Sequence, residues 1–252
     1  MSEKPLVRPN DRPHDYSGAP VHAVPPRGES RPWYHQRWLT IAAGFALAFL
    51  TGMAIAAWVK QYGDWHDGMR WERELMLALH LPLPRWLDLL IYIVPWTGTN
   101  ISLIPGVLVA VVWLWRRAHR PHLAMRLLVV QVGSYLLNPA LKDLYDRARP
   151  DLFARRGWYG WSSYPSGHAI ASVAVLLTIA IMLRDERGWR WPFVVAALLI
   201  PLSLYSRLYL GVHWPTDVIG GALVGLVWLA MTTVAFREGH RGRAPAAVRE
   251  AP

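Results

Sequence analysis

The 252-residue chain contains no cysteine. That excludes disulfides, thiol nucleophiles and cysteine-ligated metals, while leaving the compartment open. Charge is also scarce: 17% of residues are Asp, Glu, Lys or Arg, against roughly 25% in soluble domains. Hydrophobic residues make up 53%, and the two figures together argue for a membrane. Acidic residues are the scarcer sign, 17 against 27 Lys and Arg, for a net charge of +10. Such a balance suits nucleic acid, a membrane surface or an anionic substrate. Here the cations sit mainly between long apolar stretches, which reads as membrane topology and not as nucleic-acid binding. The 15 Trp and 10 Tyr suit the headgroup layer, where a ring is half apolar and half wet.

Seven prolines fall within residues 1–37, interspersed with Lys4, Arg8, Arg12, Arg27, Arg31 and Arg37. No helical or strand period survives there, and a disordered basic tail is expected. Residues 38–59 are uncharged for 22 positions, enough at ~1.5 Å per residue to cross a ~30 Å hydrocarbon core. Ala54-Ile55-Ala56 resembles a cleavage site, but this apolar run and what precedes it are too long for a signal peptide, so a retained span is expected. Residues 60–85 mix Asp64, Asp67, Glu72 and Glu74 with Trp65, Trp71 and an apolar run from Leu75, the composition of an interfacial segment with a short amphipathic helix. Residues 89–115 are uncharged but interrupted by Pro95, Gly98 and Asn100; they predict a span over about 100–115 with an irregular lead-in.

Three further apolar runs, 127–141, 169–183 and 191–205, have 15 residues each, short for a span unless extended by the polar Lys142, His168 and Arg207 at their ends. A last span, 218–236, follows Asp217, with Gly221 and Gly225 as a small-residue packing face. The fold expected is therefore all-α: a polytopic membrane bundle of six transmembrane helices over 38–236, between a basic Pro-rich tail 1–37 and a basic tail 237–252. Six spans put both termini on one side with the cation-rich segments 116–126 and 184–190. The excess of cations predicts that this side is cytoplasmic.

The remaining polar clusters, 142–156, 164–168 and 206–217, then meet the opposite, extracytoplasmic face. Ionisable groups at membrane depth are costly and point to function. Lys142, Arg149 and Arg207 are three permanent cations, matched to phosphate oxygens. Pro165-Ser166-Gly167 opens a helix, whose free N–H groups favour an anion; Gly167 permits close approach and the Ser166 hydroxyl can donate. Interfacial anchoring, with Ser166 a plain helix cap, is the alternative for each alone. His168 and His213 suggest divided labour. His213 lies four residues before Asp217, one face of a helical turn, and a carboxylate on one ring nitrogen leaves the other free to attack. His168 could then protonate a leaving oxygen. A metal held by His168, His213 and Asp217 is disfavoured by the three cations alongside, and no cofactor is expected.

Lys142-x6-Arg149-Pro150, Pro165-Ser166-Gly167-His168 and Ser206-Arg207-x5-His213-x3-Asp217 together resemble the three-part signature of the type 2 phosphatidic acid phosphatase superfamily, shared with the vanadium haloperoxidases. The resemblance covers about 38–236 and departs at no signature position. It implies that His213 is a nucleophile forming a phosphohistidine, oriented by Asp217. His168 would be the general acid, and Lys142, Arg149, Ser166, Gly167 and Arg207 would hold the phosphoryl oxygens, without a metal. The partners it implies are membrane lipids, one of them a phosphorylated substrate: undecaprenyl diphosphate, phosphatidic acid or phosphatidylglycerol phosphate. A bacterial inner membrane is the setting of similar proteins. Arg147, Arg155 and Arg156 could hold a second phosphate, which leans the reading towards a diphosphate, or could form a solvated basic loop. Trp158, Tyr159, Trp161 and Tyr164 read as an interfacial belt or a headgroup entrance. A lipid phosphotransferase and a non-enzymatic lipid-binding protein remain the alternatives. A haloperoxidase is opposed by the six spans.

Overall fold

The computed structural model describes residues 32–157 and 159–241. The expected tails, apart from their helical edges, and Trp158 lie outside the described residues. Every regular element described is helical. α1 (Pro32–Tyr62) leads to α2 (Arg70–Leu79) and α3 (Arg85–Ile93), and a 3₁₀ turn (Val94–Gly98) joins α3 to α4 (Asn100–Arg116). α5 (Pro121–Tyr145) follows. α6 (Gly167–Ala171) passes through a π turn (Ser172–Leu176) into α7 (Leu177–Arg187), and α8 (Trp191–Tyr209) and α9 (Pro215–Arg241) complete the set. Local chemistry sets many of these limits. Pro121, Pro192 and Pro215 sit in first turns, where a missing N–H costs nothing. Gly188, at φ 70°, ends α7 in the left-handed conformation.

Four helices, His35–Tyr62, Gly167–Arg187, Trp191–Tyr209 and Pro215–Arg237, are long and apolar enough to cross a membrane. Arg85–Gly98 and Asn100–Arg116, bent by 50°, form a fifth as a broken span. The break falls at the Pro95–Asn100 punctuation, as the irregular lead-in anticipates. The sixth expected span coincides with α5, whose 25 residues include Arg126, Gln131 and Ser134 among its buried positions. These polar groups are paired inside the protein. Arg126 donates to Thr233 Oγ1 (3.0 Å), Gln131 to Asn100 Oδ1 (3.1 Å) and Ser134 to the Val130 carbonyl (2.8 Å). Length and composition alone therefore give four or five spans, and the polarity of α5 is turned inward.

The core is built where α1, α4, α5, α6 and α9 meet around Leu127, Leu137, Leu141, Ile170, Val224 and Trp228. Two glycines bring α6 against α9: a Cβ on Gly221 would lie 2.5 Å from the Ser166 carbonyl oxygen, and one on Gly225 2.8 Å from that of Ile170. The expected small-residue face thus packs on the segment that carries Ser166 and His168. Gly221→Ala must push backbone from backbone. It is expected to cost about 1–3 kcal/mol, the scale of overpacking, and to lower the midpoint of thermal unfolding in detergent.

Alternation of the helices separates two ends. Arg120 pairs with Glu186 at 2.7 Å, and Arg37 lies over the Phe236 ring at 5.1 Å, so the cation-rich segments and both termini of the described chain share one end. The C-termini of α1, α5 and α8 and the N-termini of α6 and α9 share the other. α2 also lies at that end. It is amphipathic, as composition predicts, yet it turns Glu72 inward with Met76 and leaves Trp71, Leu75 and Leu77 exposed.

Candidate active site

Each polar cluster arrives at this end on a different element. Lys142 is in the last turn of α5 and Arg149 in the loop after it. Gly167 and His168 open α6, Arg207 lies in the last turn of α8, and His213 precedes α9. Six of the eight candidate side chains or backbones, Lys142, Arg149, Gly167, His168, Arg207 and His213, line a single cavity of about 180 Å³. Gly98, Thr99 and Asn100 of the broken span, together with Asn138, Tyr159, Gly160 and Val212, close its walls. Irregular backbone at this depth is tolerated where it lines such a cavity. The remaining two candidates, Ser166 and Asp217, are fully buried behind the wall.

The cations are held on backbone oxygens. Arg149 donates to the carbonyls of Gly160 (2.8 Å), Ser162 (2.9 Å) and Val212, and Lys142 donates to Ser162. Burial brings Arg149 down to about 10, partly opposed by Asp217, so it stays charged at neutral pH. Arg207 Nη1 donates to His168 Nε2 at 2.8 Å; in this arrangement that ring nitrogen is the acceptor.

His213 Nδ1 lies 3.6 Å from Asp217 Oδ2, close enough for charge but longer than a hydrogen bond. Burial holds His213 well below the usual imidazole range, reinforced by Arg149, Lys142 and Arg207. It is therefore neutral at pH 7, the state in which a ring nitrogen carries a lone pair. Asp217 Oδ2 accepts the Trp214 N–H (2.7 Å), and Oδ1 accepts from Arg147 (2.7 Å).

Four buried polar atoms without a hydrogen-bond partner gather here: Ser166 Oγ, Asn138 Oδ1, Arg207 Nε and His213 Nδ1. Buried polar atoms are rarely left so, and a cluster of them implies a missing ligand or solvent. Ser166 stands at the helix start but makes no side-chain cap, which removes the plain-cap alternative. Gly167 is required by contact, since a Cβ there would lie 2.7 Å from Asn138 Nδ2. A second cavity of about 220 Å³ shares Thr99, Asn100, His168 and Arg207 with the first and is otherwise lined by Tyr92, Pro95, Trp96, Ile101, Gly157 and Leu210. Among the described residues, no group of three His, Asp or Glu side chains is arranged to hold a metal ion.

The PAP2 superfamily model matches residues 123–241, the stretch that carries all three polar clusters. Over that stretch, a little under half of the chain, the protein is similar to the PAP2 superfamily. It is similar to the crystal structure of a transmembrane PAP2-type phosphatidylglycerolphosphate phosphatase from Bacillus subtilis, with a TM-score of 0.66 and 25% identity over 79% of this chain and 98% of that one. It is 36% identical to phosphatidylglycerophosphatase B of Bacillus subtilis over 40% of this chain and 52% of that protein. It is 41% identical to an undecaprenyl-diphosphatase of Sulfolobus acidocaldarius over 29% of this chain and 32% of that protein. The chain thus spans about half the length of the first of these curated relatives and a third of the second.

Two residues, Arg147 and Tyr164, depart from expectation. None of the three extra arginines lines the cavity, and only Arg155 and Arg156 are partly exposed, as a solvated loop requires. Arg147 is fully buried, bonded to Glu72, Asp217, Thr216 and the Trp65 carbonyl. Arg156 forks onto both oxygens of Asp88 (2.6 and 2.9 Å), and Arg155 holds the Pro150 carbonyl and Asp151. Tyr164 is not interfacial: it is fully buried, donates to the Gly52 carbonyl (2.6 Å) and packs against Trp65 and Tyr145. Tyr159 and Trp161 are exposed, and only Tyr159 lines the cavity. Sequence reading missed Asn138, although it lies one helical turn before Lys142 and so on the same face. It also missed Glu72, whose sequence neighbourhood looks interfacial.

Proposed function

We propose that this chain is a lipid phosphatase working through a phosphohistidine on His213. The observation that carries the reading is the convergence of three cations and two histidines on one small cavity, with an apolar cavity beside it. A phosphoryl group fits among Lys142, Arg149 and Arg207, with the N–H groups at the start of α6 and the Ser166 hydroxyl behind. These donors stabilise the charge on its oxygens as bonds change. His213 Nδ1 faces Asp217, leaving Nε2 to attack. The N–P bond forms as the P–O bond to the lipid breaks, and His168 supplies the proton to the departing oxygen. Water, giving its proton to His168, then releases phosphate and restores His213.

The lipid part of the substrate extends along the apolar cavity, which touches both His168 and Arg207 and so adjoins the leaving-group side. With Arg147, Arg155 and Arg156 engaged elsewhere, the three cavity cations suit a single phosphoryl group. The reading is therefore a lipid phosphomonoester such as phosphatidic acid or phosphatidylglycerol phosphate. The excess of cations at the opposite end supports termini in the cytoplasm, six crossings and a site on the extracytoplasmic face.

Phosphate release from detergent-solubilised protein in excess EDTA tests the reading. Phosphatidic acid and phosphatidylglycerol phosphate are expected to be hydrolysed with rates unchanged by the chelator, and faster than undecaprenyl diphosphate. No release from any of the three by a folded sample contradicts it.

A further inference from the structure

The end of α2 that faces inward carries a carboxylate with no place in the chemistry above. Glu72 is fully buried. Its Oε1 accepts the Thr216 backbone N–H (3.0 Å) and hydroxyl (2.6 Å), so it takes up a free donor at the start of α9. Its Oε2 accepts from Arg147 (3.0 Å) and from the Met69 N–H (2.9 Å). Arg147, also fully buried, spans from Glu72 to Asp217, with Nη1 within 2.7 Å of both Asp217 Oδ1 and Thr216 Oγ1. Its guanidinium lies between Trp65 and Trp214, 5.1 and 5.6 Å from the ring centres, and its Nε holds the Trp65 carbonyl at 3.2 Å. Every oxygen of Glu72 is thus committed to the two groups that fix Asp217: the arginine on its Oδ1 and the helical turn it belongs to.

We propose that Glu72 is a positioning residue for the reaction at His213, acting through Arg147 and the first turn of α9 to hold the Asp217 carboxylate against His213 Nδ1. The inference rests on the nucleophile reading above. Its physical basis is charge sharing. Arg147 paired with Asp217 alone would neutralise the carboxylate that must attract the Nδ1 proton. Paired with two carboxylates, it leaves the Glu72–Arg147–Asp217 set with one net negative charge. Around His213 that charge faces Lys142 of α5, Arg149 of the following loop, His168 of α6 and Arg207 of α8. The three cations oppose positive charge on the ring, and the negative set at its back favours the Nδ1–H tautomer and a free Nε2.

Glu72→Gln keeps the shape and removes the charge. It is expected to lower kcat for phosphate release by about tenfold or more, the scale on which groups behind a reacting histidine act. KM and the inhibition constant of inorganic phosphate should stay unchanged, because the cavity cations are untouched. Nitrogen-15 NMR of histidine-labelled protein, with His213 assigned by its loss in His213→Ala, should show a fall in the Nδ1–H form. Thr216→Val, which cuts the hydroxyl links to Glu72 and Arg147, keeps the backbone one and removes no charge, should change kcat and tautomer in the same direction and by less. An unchanged kcat and tautomer in both variants overturns the proposal. So does a loss of phosphate binding in step with kcat, which would mark Glu72 as a structural support only. If the wild type releases no phosphate from any lipid, the catalytic reading fails, and the NMR comparison still decides whether Glu72 sets the His213 tautomer.

Discussion

Replacing His213 with alanine is expected to reduce kcat for lipid phosphate hydrolysis by roughly 10⁴-fold or more, the scale seen when a covalent nucleophile is removed. The ring lines the same cavity as Lys142, Arg149 and Arg207, with 5% of its surface exposed. Among the other described residues of the cavity, His168 Nε2 is taken up by Arg207, Lys142 is held on the Ser162 carbonyl, and the Thr99 hydroxyl is bonded to the Trp96 carbonyl. Phosphate binding should survive the change, because alanine leaves all three cations in place. Steady-state rates together with inhibition by inorganic phosphate check both halves. A variant that keeps more than about a tenth of wild-type kcat removes the nucleophile assignment.

His168→Ala should separate substrates by leaving group. A lipid alkoxide is a poor leaving group and needs the proton, so a loss of about 10²–10⁴-fold is expected. An aryl phosphate departs as a stable phenolate and needs little help. For that substrate the first step should survive while water attack, deprived of its base, slows. The expected trace is a burst of phenol equal to the enzyme concentration, followed by a slow steady rate, read by rapid mixing. The same loss for both substrates with no burst would show that His168 only supports the site. The 2.8 Å bond from Arg207 to His168 Nε2 adds a condition. On the proposed reading, Arg207 turns to the phosphoryl group before that nitrogen carries a proton, so substrate binding would arm the acid.

The residues that gather at the cavity were legible in the sequence because each is polar where the chain is otherwise apolar. Lys142, His168 and Arg207 sit at the ends of short apolar runs, and a bundle of alternating helices brings such ends together whatever its detailed packing. Gly221 and Gly225 carried their meaning for a similar reason, since spacing places both on one face. The interruption at Pro95, Gly98 and Asn100 was readable as a break, although its role as a cavity wall was not.

What stayed hidden depends on partners distant in sequence. Glu72 and Arg147 are 75 positions apart, and each resembles its charged neighbours. Arg147, Arg155 and Arg156 look equivalent in a basic loop, yet burial against Trp65 and Trp214 singles out the first, and Asp88 claims the last. Tyr164 shares an aromatic stretch with Trp161, but its hydroxyl finds the Gly52 carbonyl inside the bundle. α5 fell short of a uniform apolar span because its polar side chains face other helices, an orientation that composition does not encode.

The central claim is the covalent step, and one measurement addresses it directly. His168→Ala protein is mixed with a phosphorus-32-labelled aryl phosphate, quenched within milliseconds, and tested for protein-bound label. The account predicts a phosphoenzyme that is lost in acid, survives alkali, maps to the peptide containing His213 and is absent when His213 is also replaced. Turnover with no bound label at any quench time, or label on any other residue, would contradict it.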